Sequence, residues 1–188
     1  GLGLGRVHYT VSIDGDELRE YVQWDGQQPI YRNEGVVGLF GGLSYADVIP
    51  ALSATAEEEG FTLLFSGYAG EAEPDGDKTL YTSSGESLSI SADEFSLEMK
   101  NLSMDMSYDG DMVAAFKGDL FESTGKARIE SIEISNIEPG ATVKIENLAF
   151  ATDVKIDEDN NTANVYVEYA VDKAVGPELD ATDMVLGV

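Results

Sequence analysis

Apolar and polar residues alternate along most of this chain. Val7, Tyr9 and Val11 share one parity, and the turn sequence Asp14-Gly15 follows Ile13. Alternating segments separated by Asp-Gly are typical of antiparallel hairpins, because successive side chains of a strand point to opposite faces. The pattern therefore predicts a mainly β protein, built as a long curved antiparallel β-meander.

One segment departs from the alternation and predicts a helix near residues 46–59. Pro50 suits a first helical turn, residues 51–59 are mostly good helix formers, and Gly60 is a natural C-terminal stop. The fold class is then α+β with a single helix. A sheet with one helix to cover it must curl, pair with another layer or associate.

Two parts of the chain resemble each other at a spacing of about forty residues. Residues 80–85 return as residues 120–125, and the step Asn101-Leu102 returns as Asn147-Leu148. Such self-similarity indicates a supersecondary unit that is used twice. The predicted units are residues 80–111 and 120–159, within a single domain that spans residues 1–188.

The parity of the apolar positions changes once inside each unit. Leu97 and Met99 share one parity, whereas Leu102 follows Met99 by three residues. A slip of one residue turns every later side chain to the other face, unless the backbone absorbs it. We therefore predict a β-bulge or a strand corner at Lys100-Asn101 and at Glu146-Asn147, so that the apolar side chains keep one continuous face.

The charge of the chain is strongly negative, with 36 acidic against 11 basic residues and a formal net charge of −25. Such a surface repels nucleic acid and anionic lipid headgroups, so no nucleic-acid partner is expected. A solubilising or salt-adapted acidic shell is the simplest explanation, and attraction of cations or of a basic partner is the alternative. The chain has no cysteine, which excludes disulfides and thiolate chemistry.

The chain begins with Gly1 and contains no run of about 18 apolar residues that could span a membrane. We interpret it as a fragment of a longer protein. A membrane connection is then expected only through an N-terminal anchor that the fragment lacks.

Paired aspartates recur where turns are predicted. The pairs are Asp14 and Asp16, Asp75 and Asp77, Asp109 and Asp111, and Asp157 and Asp159. Calcium requires six to eight oxygen ligands at fixed spacing, and none of the pairs has that set. We therefore predict turns rather than a metal site, and no cofactor.

Catalytic motifs have little support in the sequence. The segment Gly42-Leu43-Ser44-Tyr45-Ala46 approaches a nucleophile elbow but ends in Ala, and His8 is the single histidine of the chain. No catalytic residue is assigned. A pair of carboxylates for glycoside hydrolysis stays open, because 36 acidic residues make pairs common and none diagnostic.

Methionine and aromatic residues of the repeat segments are the candidate ligand-binding positions. They are Met104, Met106, Tyr108 and Phe150. Core packing is the first interpretation, since alternating apolar residues usually pack inward. The alternative is a groove for an acyl chain or a hydrophobic peptide, for which adaptable methionines suit an uncovered sheet face.

Several short segments resemble the YdgA/YihF-like family of bacterial proteins of unknown function. They are Gly85-Glu86-Ser87-Leu88-Ser89-Ile90, Asn101-Leu102, Asn147-Leu148, Asp157-Glu158-Asp159 and Tyr169-Ala170-Val171-Asp172, with Trp24-Asp25-Gly26 similar to a Trp-x-Gly element of the family. The resemblance implies an envelope protein that faces the periplasm and is held at the inner membrane by an N-terminal hydrophobic segment. It supplies no catalytic residue.

Three hypotheses for the function follow. The first is a non-catalytic periplasmic binding or scaffolding module of the bacterial envelope, acting through a sheet face or edge on an envelope protein or lipid. The second is a lipid or hydrophobic-ligand groove protein, and the third is a two-carboxylate hydrolase. An uncovered apolar face would favour the first two, and two acids facing each other in a deep cleft would favour the third.

Overall fold

A computed structural model describes most of the chain as β-structure. The described residues are 6–16, 23–38, 43–56, 60–92, 95–109, 121–136, 140–157, 159 and 162–187. They form thirteen strands and no helix. The strands are β1 (Val7–Ile13), β2 (Gln23–Gly26), β3 (Tyr31–Val37), β4 (Leu43–Ile49), β5 (Leu52–Ala56), β6 (Phe61–Phe65), β7 (Tyr68–Asp75), β8 (Lys78–Ala92), β9 (Phe95–Asp109), β10 (Ser123–Ser135), β11 (Thr142–Asp157), β12 (Thr162–Gly176) and β13 (Leu179–Gly187).

All thirteen strands belong to one open antiparallel sheet, which confirms the mainly β prediction. Ten of them follow the order β1-β3-β4-β7-β8-β9-β10-β11-β12-β13. The short strands β2, β5 and β6 form a side branch, in which β6 pairs with residues 88–91 of β8. From β7 to β13 each strand is the neighbour of the next, so this part is a simple meander.

The strands at the middle of the sheet are long. β11 has 16 residues and β8, β9 and β12 have 15 each. At about 3.3 Å per residue they extend roughly 50 Å, about two to three times the length of a common strand. β9 pairs with β10 over the whole length of β10, so the structure does not separate the two predicted repeat units. Residues 110–120, which connect β9 to the segment before β10, lie outside the described part.

The helix predicted near residues 46–59 is wrong. Residues 46–49 complete β4 and residues 52–56 form β5, while residues 57–59 lie outside the described part. β5 is paired on both sides, with β2 and with β6, and Ala54 at its centre is buried. Tertiary pairing on two edges therefore overrides the weak helix preference of this alanine- and glutamate-containing segment.

A row of six polar residues crosses β8 to β13, and we call it the crease. It consists of Glu86, Asn101, Glu130, Asn147, Asp172 and Asp183. Three of these residues, on alternate strands, have left-handed backbone conformations: φ is 52° at Asn101, 53° at Asn147 and 51° at Asp183. Such values are uncommon for residues other than glycine, and asparagine and aspartate tolerate them best.

The crease lies where a β-bulge or a strand corner was predicted, and it is not a β-bulge. Lys100 pairs with Ser131 on one side of it and Leu102 pairs with Ile129 on the other, so no residue is inserted between the two pairs. All six strands change side-chain parity together, and none contains the extra residue that defines a bulge. Along β9 the apolar side chains stay on one face, as predicted: Met99 and Leu102 are half-buried, while Lys100 and Ser103 are exposed.

The core is thin and lies on that one face. The buried hydrophobic residues are Leu43, Ala54, Ala72, Tyr81, Tyr108 and Ala174. No large side chain of the described residues falls below 2% exposure. The accessible surface of the chain is 12437 Å², against roughly 8,800 Å² for a compact monomer of its 20.2 kDa. The described strands therefore form a single layer, with no second layer among them.

Candidate ligand-binding face

Cross-strand register assembles two parallel rows of side chains on the half-buried side of the sheet, which we call the apolar face. The first row is Tyr9, Gly35, Tyr45, Ala72, Tyr81, Met106, Gly125, Thr152 and Val167. The second row is Asn33, Asp47, Gly70, Ser83, Met104, Ala127, Phe150, Tyr169 and Leu186. Small residues stand between large ones at Gly35 in the first row and at Ala127 in the second, so the face is ridged rather than flat.

Small residues make room for their large neighbours on this face. A Cβ atom built on Gly35 would collide with the ring and hydroxyl of Tyr9. At Gly125 it would lie 2.9 Å from the Thr152 hydroxyl and 3.5 Å from a side-chain carbon of Met106. Glycine lets each neighbour lie flat across the strand, which covers backbone that would otherwise meet solvent.

All four residues predicted to bind a ligand lie on the apolar face. Tyr108 is buried, with 7% exposure, and belongs to a small core cluster with Ala72 and Tyr81. Met104 and Met106 pack against that cluster and are half-buried. Phe150 makes an edge-on contact with Tyr169, with ring centroids 5.1 Å apart, and Tyr169 is 45% exposed. That these residues bind a ligand stays a prediction.

A cluster of tyrosines around Asp47 is the feature that the sequence did not reveal. The rings of Tyr45 and Tyr81 stack with centroids 5.8 Å apart, and the Tyr45 hydroxyl lies 3.4 Å from that of Tyr108. The Tyr81 hydroxyl donates to the Asp47 carboxylate, 3.2 Å from each oxygen. The Tyr68 hydroxyl is hydrogen-bonded to the Tyr81 hydroxyl.

Gly70 is the position that permits the hydrogen bond between Tyr81 and Asp47. It lies between Asp47 on β4 and Ser83 on β8. A Cβ atom there would collide with the Tyr81 hydroxyl and with Asp47 Oδ1. The bare backbone of β7 therefore provides the space in which carboxylate and phenol meet.

Burial and hydrogen bonding keep the phenols of the cluster in their protonated form. Burial, followed by the hydrogen bond with Tyr108, raises the pKa of Tyr45. Burial, followed by the hydrogen bond with Tyr68, raises the pKa of Tyr81. Both phenols therefore stay protonated at neutral pH and can donate hydrogen bonds.

The described residues do not form a Ser-His pair, a metal site or a buried pair of carboxylates. His8 and Ser44 lie in one cross-strand row with Val36 between them. Two strand spacings separate their Cα atoms by about 10 Å, which is too far for a hydrogen bond between the side chains. Gly42 is outside the described part. No three histidine, cysteine or acidic side chains of the described residues could hold a metal ion. The buried acid of the described part is Asp47, and its partner is a tyrosine rather than a second carboxylate.

The paired aspartates lie at strand ends. Gly76, between Asp75 and Asp77, has a φ of 63°, as expected for a tight turn. Asp109 forms an ion pair with Lys78 at 3.1 Å, and its sequence partner Asp111 lies outside the described residues. These positions are consistent with the predicted turns.

Residues 1–187 match the family model described as "Bacterial protein of unknown function (DUF945)". The match covers nearly the whole chain, and the chain belongs to this family. No curated protein and no solved structure shows a significant similarity to it. Among the described residues there is no helix with the length and apolar character needed to cross a membrane.

Proposed function

We propose that this member of the DUF945 family is a non-catalytic binding module that holds an amphiphile with a hydrocarbon chain on its apolar face. The observation that carries the proposal is the single-layer sheet, whose apolar face no other layer of the described residues covers. Large apolar patches on soluble domains mark sites of interaction. The proposal combines the binding-module hypothesis with the hydrophobic-ligand groove.

The relief of the apolar face suits a flexible chain. Met104 and Met106 are half-buried, and unbranched thioether side chains adjust to ligands of irregular shape. Ala127 and Gly125, which pair with them on β10, leave a low strip between the methionines and Phe150. Each 100 Å² of apolar surface covered by a ligand contributes about 2.5 kcal/mol before the costs of binding are subtracted.

The charge of the chain argues against a second copy as the cover of this face. Two chains with a formal net charge of −25 each repel strongly at low ionic strength. A small ligand with an uncharged hydrocarbon body meets no such barrier. We therefore prefer a lipid-like ligand to a homodimer.

The cellular location is part of the proposal and rests on the resemblance to YdgA/YihF-like proteins. On that resemblance we propose a periplasmic location, with an N-terminal hydrophobic segment as the anchor at the inner membrane. Lipids are abundant at that location. A periplasmic module with an uncovered apolar face would meet its ligand at the membrane surface.

A scaffolding function is the second candidate, and the outer strand β13 favours it. Val185 and Leu186 are 67% and 63% exposed and lie on opposite faces of this strand. An exposed edge strand with apolar side chains on both faces can pair with an extended segment of an envelope protein. Capture of a partner by wild-type chain and its loss with Val185→Pro would support this function.

The proposed function is tested by two neighbouring glutamate substitutions on β9. Met104→Glu places a charge on the apolar face, and Ser103→Glu places the same charge on the opposite, exposed face. We expect Met104→Glu to weaken binding of a fluorescent C16 fatty-alcohol probe at least about tenfold, because a carboxylate strongly disfavours contact with hydrocarbon. Ser103→Glu should bind like wild type.

Equal binding by both variants would place the ligand elsewhere, and no binding by wild type would reject the function. Circular dichroism of both variants checks that the sheet is intact. Lipid extraction of freshly purified protein, followed by mass spectrometry, identifies any ligand that copurifies.

A further inference from the structure

Asp47 is a buried carboxylate without a cationic partner among the described residues. It is 9% exposed, and the ion pairs of the described part do not include it. Its donor is the single proton of the Tyr81 hydroxyl, at 3.2 Å from each oxygen. A carboxylate offers about four lone-pair sites, so one proton leaves it under-satisfied in an environment where an uncompensated charge is costly.

The groups around Asp47 have the chemistry that recognises an ammonium ion. The rings of Tyr45 and Tyr81 stack on each other beside Asp47, and the ring faces outside the stack are electron-rich and attract cations. Ser83 lies two residues after Tyr81, on the same face of β8. Its hydroxyl is buried and lacks a hydrogen bond of ordinary geometry to any described residue. An ammonium group carries the protons that Asp47 and Ser83 can accept, and a charge-assisted hydrogen bond to a carboxylate is a strong one.

The second row of the apolar face, to which Asp47 belongs, indicates the direction in which the ligand extends. Beyond Ser83 the row continues through Met104 and Ala127 to Phe150, with no further charged side chain. Five steps between neighbouring strands separate Asp47 from Phe150, or about 24 Å at the usual spacing. The polar end of the row is therefore at Asp47, and its apolar end is long enough for an extended hydrocarbon chain.

We propose that Asp47, with the rings of Tyr45 and Tyr81 and the Ser83 hydroxyl, binds the ammonium end of a cationic amphiphile whose hydrocarbon chain lies along the row towards Phe150. This inference rests on the proposed function and names the class of its ligand. It also gives the buried carboxylate a role that the packing of the sheet does not supply. The overall negative charge of the chain attracts any cation, so the test must separate Asp47 from that general attraction.

Three probes share one hydrocarbon tail and differ in their head groups: dodecylamine, dodecanol and dodecanoate. They distinguish recognition of the head group from recognition of the tail. Calorimetric titration below the micelle concentrations of the amine and the carboxylate, and below the solubility limit of the alcohol, should give wild-type affinities in the order amine, alcohol, carboxylate. Asp47→Asn should weaken dodecylamine at least about tenfold and leave dodecanol within about threefold. Asp105→Asn is the matched control, because it removes one charge from the exposed side of β9 and should change neither affinity.

The outcomes distinguish this inference from the function on which it rests. Failure of all three probes to bind wild type overturns both. Binding of dodecylamine that Asp47→Asn and Asp105→Asn weaken equally overturns the Asp47 site and leaves the apolar face as a ligand site. Butylamine binding as tightly as dodecylamine also overturns it, and points to the side chain of a lysine in a protein partner.

A fold defect in Asp47→Asn would leave two variants that test the same site. Tyr45→Leu removes an aromatic ring, and Ser83→Ala removes a hydroxyl while keeping the Cβ atom. Each should weaken dodecylamine several-fold relative to dodecanol. Unchanged ratios in both variants, with native circular dichroism, would overturn the proposal.

Discussion

The crease makes the stability of the sheet depend on the backbone conformation of a few residues, and Asn101 tests this directly. Its φ of 52° lies in the left-handed region. Glycine adopts that region without strain, asparagine tolerates it, and a β-branched residue does not. We therefore expect the free energy of unfolding to fall in the order Asn101→Gly, Asn101→Ala, Asn101→Val.

The magnitudes follow from the conformation and from one exposed contact. The left-handed region costs an ordinary L-residue about 1–2 kcal/mol, so Asn101→Ala should lose roughly that amount. Asn101→Val should lose about 2–3 kcal/mol, because its branched side chain adds steric strain. Every variant loses the hydrogen bond from Asn101 Nδ2 to Glu130 Oε2, which is exposed and contributes at most about 1 kcal/mol. Asn101→Gly offsets that loss by relieving the backbone and should stay within about 0.5 kcal/mol of wild type.

Urea denaturation followed by circular dichroism measures these differences, provided that the slopes of the transitions agree. Ser103, two residues further along β9 and equally exposed, is the control. There the order should reverse, because Ser103→Val gains strand propensity and Ser103→Gly loses it. The same order of glycine and valine at both positions would refute the view that a left-handed backbone, and not the strand in general, sets the cost at Asn101.

Three further predictions concern the tyrosine cluster and the charge. Gly70→Ala should lower the free energy of unfolding by about 1–3 kcal/mol through its clash with Tyr81 and Asp47. The loss should be smaller in a Tyr81→Phe background, which removes the hydroxyl and keeps the contact with Asp47, and equal losses would show that the Tyr81 hydroxyl does not contribute to the clash. The pKa of Tyr45 and of Tyr81 is raised above the ordinary value of about 10, so their stabilisation is complete below about pH 10 and is lost progressively as the pH rises from there towards the folded-state pKa values. Urea titrations between about pH 8 and 11 should therefore show a steeper decline above about pH 10 for wild type than for the Tyr45→Phe/Tyr81→Phe variant, and equal declines would contradict this. With a formal net charge of −25, raising NaCl from about 0.01 to 0.5 M should raise the melting temperature, and a flat salt profile would show that charge repulsion is a minor term.

Residue periodicity predicted the parts of this fold that depend on one strand at a time. The alternation at Val7, Tyr9 and Val11 and the parity change between Met99 and Leu102 are both visible in a single segment. The helix prediction failed because residues 51–56 owe their extended conformation to pairing with β2 and β6, partners that propensity does not include. Asn101 and Asn147 were located correctly, but the absence of an inserted residue follows from the register of six strands together.

The tyrosine cluster was missed for the same reason. Tyr45, Tyr68 and Tyr81 lie on three different strands, and only the pairing of β4 with β7 and of β7 with β8 brings them together. One signal was nevertheless present in the sequence. Asp47 shares its parity with Tyr45 and Ile49, so an acid stands at a position where β4 otherwise carries apolar residues. A charged residue on the apolar parity of a strand indicates a buried polar site.

The crease and the apolar face are two consequences of one constraint. Without the parity change, the apolar residues on the two sides of the crease would lie on opposite faces of the sheet: Leu97, Met99, Ile132 and Ile134 on one face, and Leu102 and Ile129 on the other. The sheet would then expose apolar side chains on both sides and would need a cover on each. Because register is preserved, a parity change in one strand requires the same change in its neighbours, and the crease therefore runs across β8 to β13. The left-handed residues that destabilise the backbone locally are thus what gathers the apolar surface on one face, where a single ligand can cover it.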